Sequence, residues 1–257
     1  MGGLSAGRRR ARQAGRRNTV ARVPWFPPLD RESWPTTAES AMAMQDELRP
    51  LVSPVTPPGT RFRTVAGLDS AYGDNSAVAA AVVVLAADTL RPVASAVAHA
   101  TAAFPYVPGL LAFREIPATL AALEKLDAAP DLLVCDGQGL AHPRRFGLAC
   151  HLGLLTGVPT IGVAKTVWGD YTEPGPQRGA ATDITIDAAV VGRALRTRTG
   201  VKPVFVSVGH RIDLDTACAQ VLALTPNYRL PETTRHADHL CRSALRTATG
   251  DYSGSTP

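Results

Sequence analysis

Residues 131–165, DLLVCDGQGLAHPRRFGLACHLGLLTGVPTIGVAK, constrain the fold more than any other part of the chain. The apolar run 132–135 lies between two aspartates and reads as a short buried strand. It delivers Asp136 directly into Gly137-Gln138-Gly139. Open α/β sheets place ligands and reactive groups where a buried strand ends in such a glycine-bearing loop. His142, Pro143, Arg144 and Arg145 are expected to start a helix, because proline suits a first helical turn. That helix should stop near Gly157 and Pro159, and residues 160–164 read as another strand ending at Lys165. One segment thus gathers an acid, an imidazole, two guanidiniums and an amine around strand ends. That composition suits a metal ion and a phosphate.

The positive charge is not spread evenly. Residues 1–22 hold seven arginines and no acid, so the net +5 of the 257-residue chain leaves −2 for everything after Arg22. This stretch has no apolar periodicity and reads as disordered, either a sequence-blind phosphate-binding arm or an extension without a role. No apolar core follows the arginines, which argues against a secretory signal. The longest apolar run, 77–87, is too short to span a bilayer, so no membrane role is expected. Cys135, Cys150, Cys218 and Cys241 lack zinc or redox spacing. They read as small buried hydrophobes in a cytoplasmic, reducing setting.

Thr36 and Glu39 have capping-box spacing and should open a helix running to about residue 48. Pro54, Pro57, Pro58 and Gly59 then link into the body. Strands are expected at 65–69, 77–87 and 92–100, joined by short turns as an antiparallel meander. A helix is expected at 117–128, with Leu120, Leu123 and Leu126 at near-helical spacing. After it come the 132–135 strand, the helix begun by Pro143 and the 160–164 strand, an alternation typical of parallel sheet. Residues 169–179 read as a loop, 190–197 and 204–208 as strands, and 214–224 and 233–247 as helices. There is no internal repeat. A three-strand meander followed by αβαβ is the order of a ribonuclease H-like α/β fold, with a central mixed sheet of five or more strands flanked by helices. One domain over 35–248 is expected, with residues 1–34 as the arginine-rich extension and 249–257 as a flexible tail.

Four carboxylates stand where such a fold would gather them: Asp69, Glu115, Asp136 and Asp238. Oxygen ligands without cysteine select hard cations such as Mg²⁺ or Mn²⁺, which activate water and neutralise charge at a phosphodiester under attack. Lys165 would then stabilise developing negative charge or orient the attacking water. Each acid alone reads equally as a cap or a solvated group. Asp136 is set apart by Gly137, Gly139 and His142 around it.

Pro105-Tyr106-Val107-Pro108 holds an aromatic ring between two residues of fixed φ, just before Glu115. A stiff, presented ring can stack on a base or wedge into a base step; the plainer reading is a rigid crossover with Tyr106 half-buried in the core. Gly109, Gly137 and Gly139 would let backbone groups approach a flat ligand, or simply make tight turns. His142 is a candidate for phosphate contact or for supporting such a contact, and His210 a weaker one. His99, His151, His236 and His239 read as structural or exposed.

Taken together, these residues resemble the endonuclease V family of deaminated-base repair nucleases. The resemblance rests on AGLDSAY at 66–72, PYVPGLLAFREIPA at 105–118 and DGQGLAHPRRFGLACHLGLLTGVPTIGVAKT at 136–166. It is carried further by VSVGHRIDLDTA at 206–217 and RLPETTRHADHL at 229–240, and covers about residues 35–248. It implies that Asp69, Glu115 and Asp136 bind a divalent metal, with Asp238 a ligand or a neighbour of one. His142 and Lys165 match residues near the scissile phosphate, and Pro105, Tyr106 and Pro108 match a strand-separating wedge. Gly109, Leu111, Gly137 and Leu148 match a pocket that receives flipped hypoxanthine through backbone groups. The implied activity is Mg²⁺-dependent hydrolysis, with Mn²⁺ able to substitute, of the second phosphodiester 3′ to deoxyinosine in DNA, leaving 3′-hydroxyl and 5′-phosphate ends. A monomer is expected. The rival readings are an endonuclease for inosine in single-stranded RNA, which only contacts to a 2′-hydroxyl would separate, and a non-catalytic binding module using the arginine arm.

Overall fold

The computed structural model describes residues 25–249. Most of the arginine-rich extension, with all seven arginines of residues 1–22, and the last residues of the chain lie outside them. The meander is present as Thr64–Tyr72 (β1), Ala77–Ala86 (β2) and Pro92–Thr101 (β3), paired antiparallel. Leu132–Cys135 (β4) and Thr160–Ala164 (β5) are buried along their whole length and add in parallel beside β1. Asp170–Tyr171 (β6), Ala181–Ile186 (β7), Ala189–Leu195 (β8) and Val204–His210 (β9) complete a nine-stranded mixed sheet of order β3-β2-β1-β4-β5-β9-β8-β7-β6. The ribonuclease H-like arrangement expected from the element order is the one observed.

Strand alternation assigns the two faces. Ala66, Leu68, Leu133 and Cys135 pack under Leu111–Leu123 (α2) and Leu148–Thr156 (α3). Val65, Leu132 and Val134 face the other way, toward Leu214–Ala223 (α4). Val83 and Leu85 on that second face meet Ala237 of Glu232–Thr249 (α5). At Gly67 the backbone of Thr233 comes so close that an added Cβ would stand 2.1 Å from its carbonyl. Glycine here lets α5 lie directly on β1.

Several expectations are corrected. The helix expected at 117–128 is α2, Leu111–Leu123, with Pro117 in its interior. Proline frees the carbonyl four residues back, and that carbonyl, of Phe113, accepts instead from the indole Nε1 of Trp34 at 3.2 Å. Residues 142–145 do not start a helix. Arg145 is left-handed (φ 55°) and α3 begins only at Leu148. Ala38–Leu48 (α1) is capped by Thr37 with Ser40, one residue on from the expected Thr36 with Glu39. The expected 169–179 loop contains β6, and β7 went unpredicted because its residues are mostly half-buried or exposed. The β7–β8 hairpin turns on Asp187 and Ala188, both with positive φ, without the glycine that marks such turns. Residues 25–34, assigned to the extension, pack on the domain: Phe26 is 4% exposed, and Trp25 and Trp34 lean on the same core. No helix of the described residues is long and apolar enough to cross a membrane.

Candidate active site

β1 and β4 run parallel with Leu68 opposite Cys135, so Asp69, within β1, and Asp136, just past the end of β4, lie side by side. Asp69 shares the parity of Gly67, the side covered by α5, and Asp238 stands on that helix. Asp69, Asp136, Asp238 and Lys165 all line one cleft of about 480 Å³. Lys165, immediately after β5, donates to Asp136 Oδ2 at 2.5 Å. Arg242 Nε donates to Asp238 Oδ1 at 2.7 Å. Burial, and then the facing carboxylate of Asp136, push the Asp69 carboxyl up to about 7; Asp238 adds to the rise, while the Ser70 N–H works against it.

Glu115 comes from α2, on the opposite face of the sheet, and is 8% exposed. It lies in the second turn of α2, not ahead of the helix start expected at 117. Its Oε1 accepts from the hydroxyl of Tyr72 at 3.0 Å, and Tyr72 lines the acidic cleft. The guanidinium of Arg114 sits 4.7 Å from the centre of the Tyr72 ring. Burial pushes Glu115 up to about 8 although the Tyr72 hydrogen bond pulls it down; the charges of Asp69 and Asp136 add to the rise. Burial and Glu115 in turn push the Tyr72 hydroxyl far above its ordinary value, which keeps it a donor.

A second cavity of about 400 Å³ adjoins the first, since Asp136 and Lys165 line both. Tyr106, Pro108, Gly109, Leu111, Gly137 and Leu148 lie on it, as does His142; Pro105 does not. Tyr106 is 70% exposed, which removes the half-buried reading of the proline-flanked ring. Gly109 (φ +81°) is held by its carbonyl, which accepts from Gln45 Nε2 at 3.1 Å, His142 Nε2 at 2.9 Å and Arg144 Nη2 at 3.1 Å. The Arg144 N–H donates to His142 Nδ1, so the imidazole is neutral with its hydrogen on Nε2. Burial, then Arg144, hold it down at about 4. With both nitrogens engaged inside the protein, His142 positions the Gly109 turn. His210 is also engaged, its Nδ1 accepting from the Ser53 N–H at 3.2 Å.

Two adjoining cavities, one acidic and one walled by a proline-flanked aromatic and glycine turns, suit a nucleic acid held beside a metal. Residues 46–239 match the family model described as Endonuclease V. The chain belongs to the endonuclease V family.

The relatives agree over nearly their whole length. Endonuclease V of Nocardia farcinica is 68% identical over 217 residues, 84% of this chain and 96% of that protein. The crystal structure of endonuclease V from Streptomyces avermitilis superposes with a TM-score of 0.80 at 61% identity, covering 85% of this chain and 97% of that one. Endonuclease V of Ciona intestinalis has been crystallised with a 24mer DNA containing an inosine followed by a ribo-adenosine. It superposes with a TM-score of 0.71 at 28% identity, covering 80% and 96% of the two chains.

Members of the endonuclease V family are DNA-cleaving hydrolases, metal-dependent in general, and the residues of this chain fit a metal of the hard class. The cleft offers oxygen donors with no cysteine or histidine among its lining, and Asp69 is destabilised as an anion by burial and then by the carboxylates beside it, a repulsion that a divalent cation relieves. As the side chains stand, no three ligating groups among the described residues converge on one point. Lys165 occupies Asp136, and Glu115 belongs to the other face. Sequence reasoning missed Gln45, Tyr72 and Trp168. Gln45 is fully buried in a helix, the usual mark of a paired polar group, but nothing local betrays its distant carbonyl partners.

Proposed function

We propose that this endonuclease V nicks DNA beside deaminated purines, taking the extruded hypoxanthine of deoxyinosine into the Tyr106-walled cavity and cutting the backbone in the adjoining acidic cleft. The observation that carries this reading is the wall common to both spaces, Asp136 and Lys165. Base and scissile phosphate then lie within one short length of strand. Tyr106, stiffened by Pro105 and Pro108, fills the space the base leaves. Gly109, Leu111, Gly137 and Leu148 receive the base. The substrate is cut at the second phosphodiester 3′ to the lesion, leaving 3′-hydroxyl and 5′-phosphate ends.

Asp69 and Asp136, with Asp238 from α5, would hold Mg²⁺, with Mn²⁺ able to substitute, and Glu115 would complete the set from the opposite face. The bound cation supplies Lewis acidity and a water of lowered pKa. Lys165 exchanges Asp136 for the phosphate and opposes the charge that develops there. His142 keeps the pocket rim in place.

Both cavities belong to one domain, which supports a monomer. Four buried free cysteines support a reducing, cytoplasmic setting. The test is cleavage-site mapping on a duplex with a single hypoxanthine, beside the same sequence with adenine. Asp136→Ala should lose nicking in Mg²⁺ and keep inosine-DNA binding in Ca²⁺; unchanged nicking refutes the assignment. The ribo-adenosine in the Ciona complex motivates matched RNA competitors: preferential cleavage of inosine-RNA would transfer the proposal to RNA.

A further inference from the structure

Trp168 is 44% exposed and lines the same cavity as Tyr106. Among the described residues its indole has no hydrogen-bond or ring partner. A bare indole on a floppy loop would mean little, but this loop is pinned on both sides. Val167 packs against the cluster of Ala164, Ile184 and Phe205. The Thr166 carbonyl accepts from Gln138 Nε2 at 2.8 Å. Gly169 has φ +97°, and a Cβ there would stand 2.5 Å from the Thr185 carbonyl. Directly afterwards Asp170 pairs with Thr185 in the sheet. The backbone is therefore fixed on either side of a large ring left facing solvent. Its anchors explain why the loop is rigid, and none of them covers the indole.

Lys165 stands three residues before Trp168, on the wall between the two cavities. A strand passing from the base cavity to the acidic cleft crosses the wall of Asp136 and Lys165, and Trp168 lines the cavity it leaves. Aromatic platforms hold bases of any identity by their faces. We propose that Trp168 stacks on the base of the nucleotide immediately 3′ to the extruded one, holding the strand in place as it enters the cleft. This deepens the reading of the site given above and rests on it.

The test measures binding by fluorescence anisotropy in EDTA, with single-inosine oligonucleotides carrying either a natural or an abasic 3′ neighbour. Trp168→Ala should weaken binding of the natural-neighbour oligonucleotide about tenfold, and Trp168→Phe should recover most of the loss. Unaltered protein should lose the same tenfold on the abasic-neighbour oligonucleotide, where Trp168→Ala should add nothing. An abasic residue 5′ to the inosine should show no such coupling. Additive losses, or a Trp168→Ala protein that binds like the unaltered one, overturn the stacking role while inosine preference persists. If unaltered protein does not prefer inosine over adenine, the functional reading fails first and the stacking role with it.

Discussion

Tyr72 and Glu115 meet at the carboxyl end of β1, the tyrosine from that strand and the glutamate from α2, joined by a hydrogen bond of 3.0 Å. The hydroxyl fixes one carboxylate oxygen of Glu115, and Tyr72 itself lines the acidic cleft. Tyr72→Phe removes a hydrogen bond to a charged group, which is worth about 1.5–3 kcal/mol. The concentration of Mg²⁺ for half-maximal nicking should rise roughly tenfold, since about 1.4 kcal/mol is a factor of ten, and the melting temperature should fall by a few degrees. A Mg²⁺ titration of cleavage checks this, and an unaltered midpoint removes Tyr72 from any metal-related role.

The raised carboxyl groups set a pH dependence. Asp69 and Glu115 bind protons more tightly when folded, near 7 and 8, than at their ordinary 3.8 and 4.5. Their contribution to stability is fully present below about pH 4 and is lost as the pH rises through 7 and 8. Metal-free protein should therefore lose more of this contribution at pH 8.5 than at pH 6, and Mg²⁺ should raise the melting temperature more at the higher pH. Melting curves in EDTA and in Mg²⁺ check it, and Asp69→Asn should flatten the slope. A Mg²⁺ effect independent of pH argues against an acid cluster that the cation neutralises.

Gly67→Ala tests the seat of α5. The new methyl group must displace the Thr233 backbone, and overpacking of this kind costs about 1–3 kcal/mol. Asp238 moves with the helix, so cleavage should fall further than stability alone explains. Urea denaturation and single-turnover nicking, measured on the same sample, separate the two effects.

Gln45→Leu tests the clamp on the Gly109 carbonyl. Gln45 also donates to the Phe146 carbonyl at 3.0 Å and accepts from Arg144 Nε at 2.5 Å, so the substitution leaves buried polar groups unmet. A loss of about 1–3 kcal/mol in urea denaturation is expected. Inosine-DNA binding should weaken while binding of the adenine control holds. Equal weakening of both would make Gln45 purely structural.

What was legible in the chain follows from local rules. β4 was read at its observed bounds because four buried apolar residues between two aspartates leave no other choice. The acid just past its end and the proline-flanked Tyr106 announce themselves within a few residues, whereas the strand expected to stop at Asp69 runs on to Tyr72. What was not legible depends on distant partners. Pro117 argues for a helix start until Trp34, 79 positions away from Phe113, supplies the donor that lets the helix continue through it. Pro143 was misread because the turns around it carry His142 and Arg144 to Gly109. Trp168 had no signal at all, since periodicity cannot show that a ring on a pinned loop stays uncovered.

The partition formed by Asp136 and Lys165 sets a limit on reach. With base reading and cutting on opposite sides of these two residues, as proposed above, the pair would act as a built-in ruler. Lengthening or shortening the Lys165–Gly169 connection should shift the break along the strand, or abolish it, before it alters which damaged base is chosen.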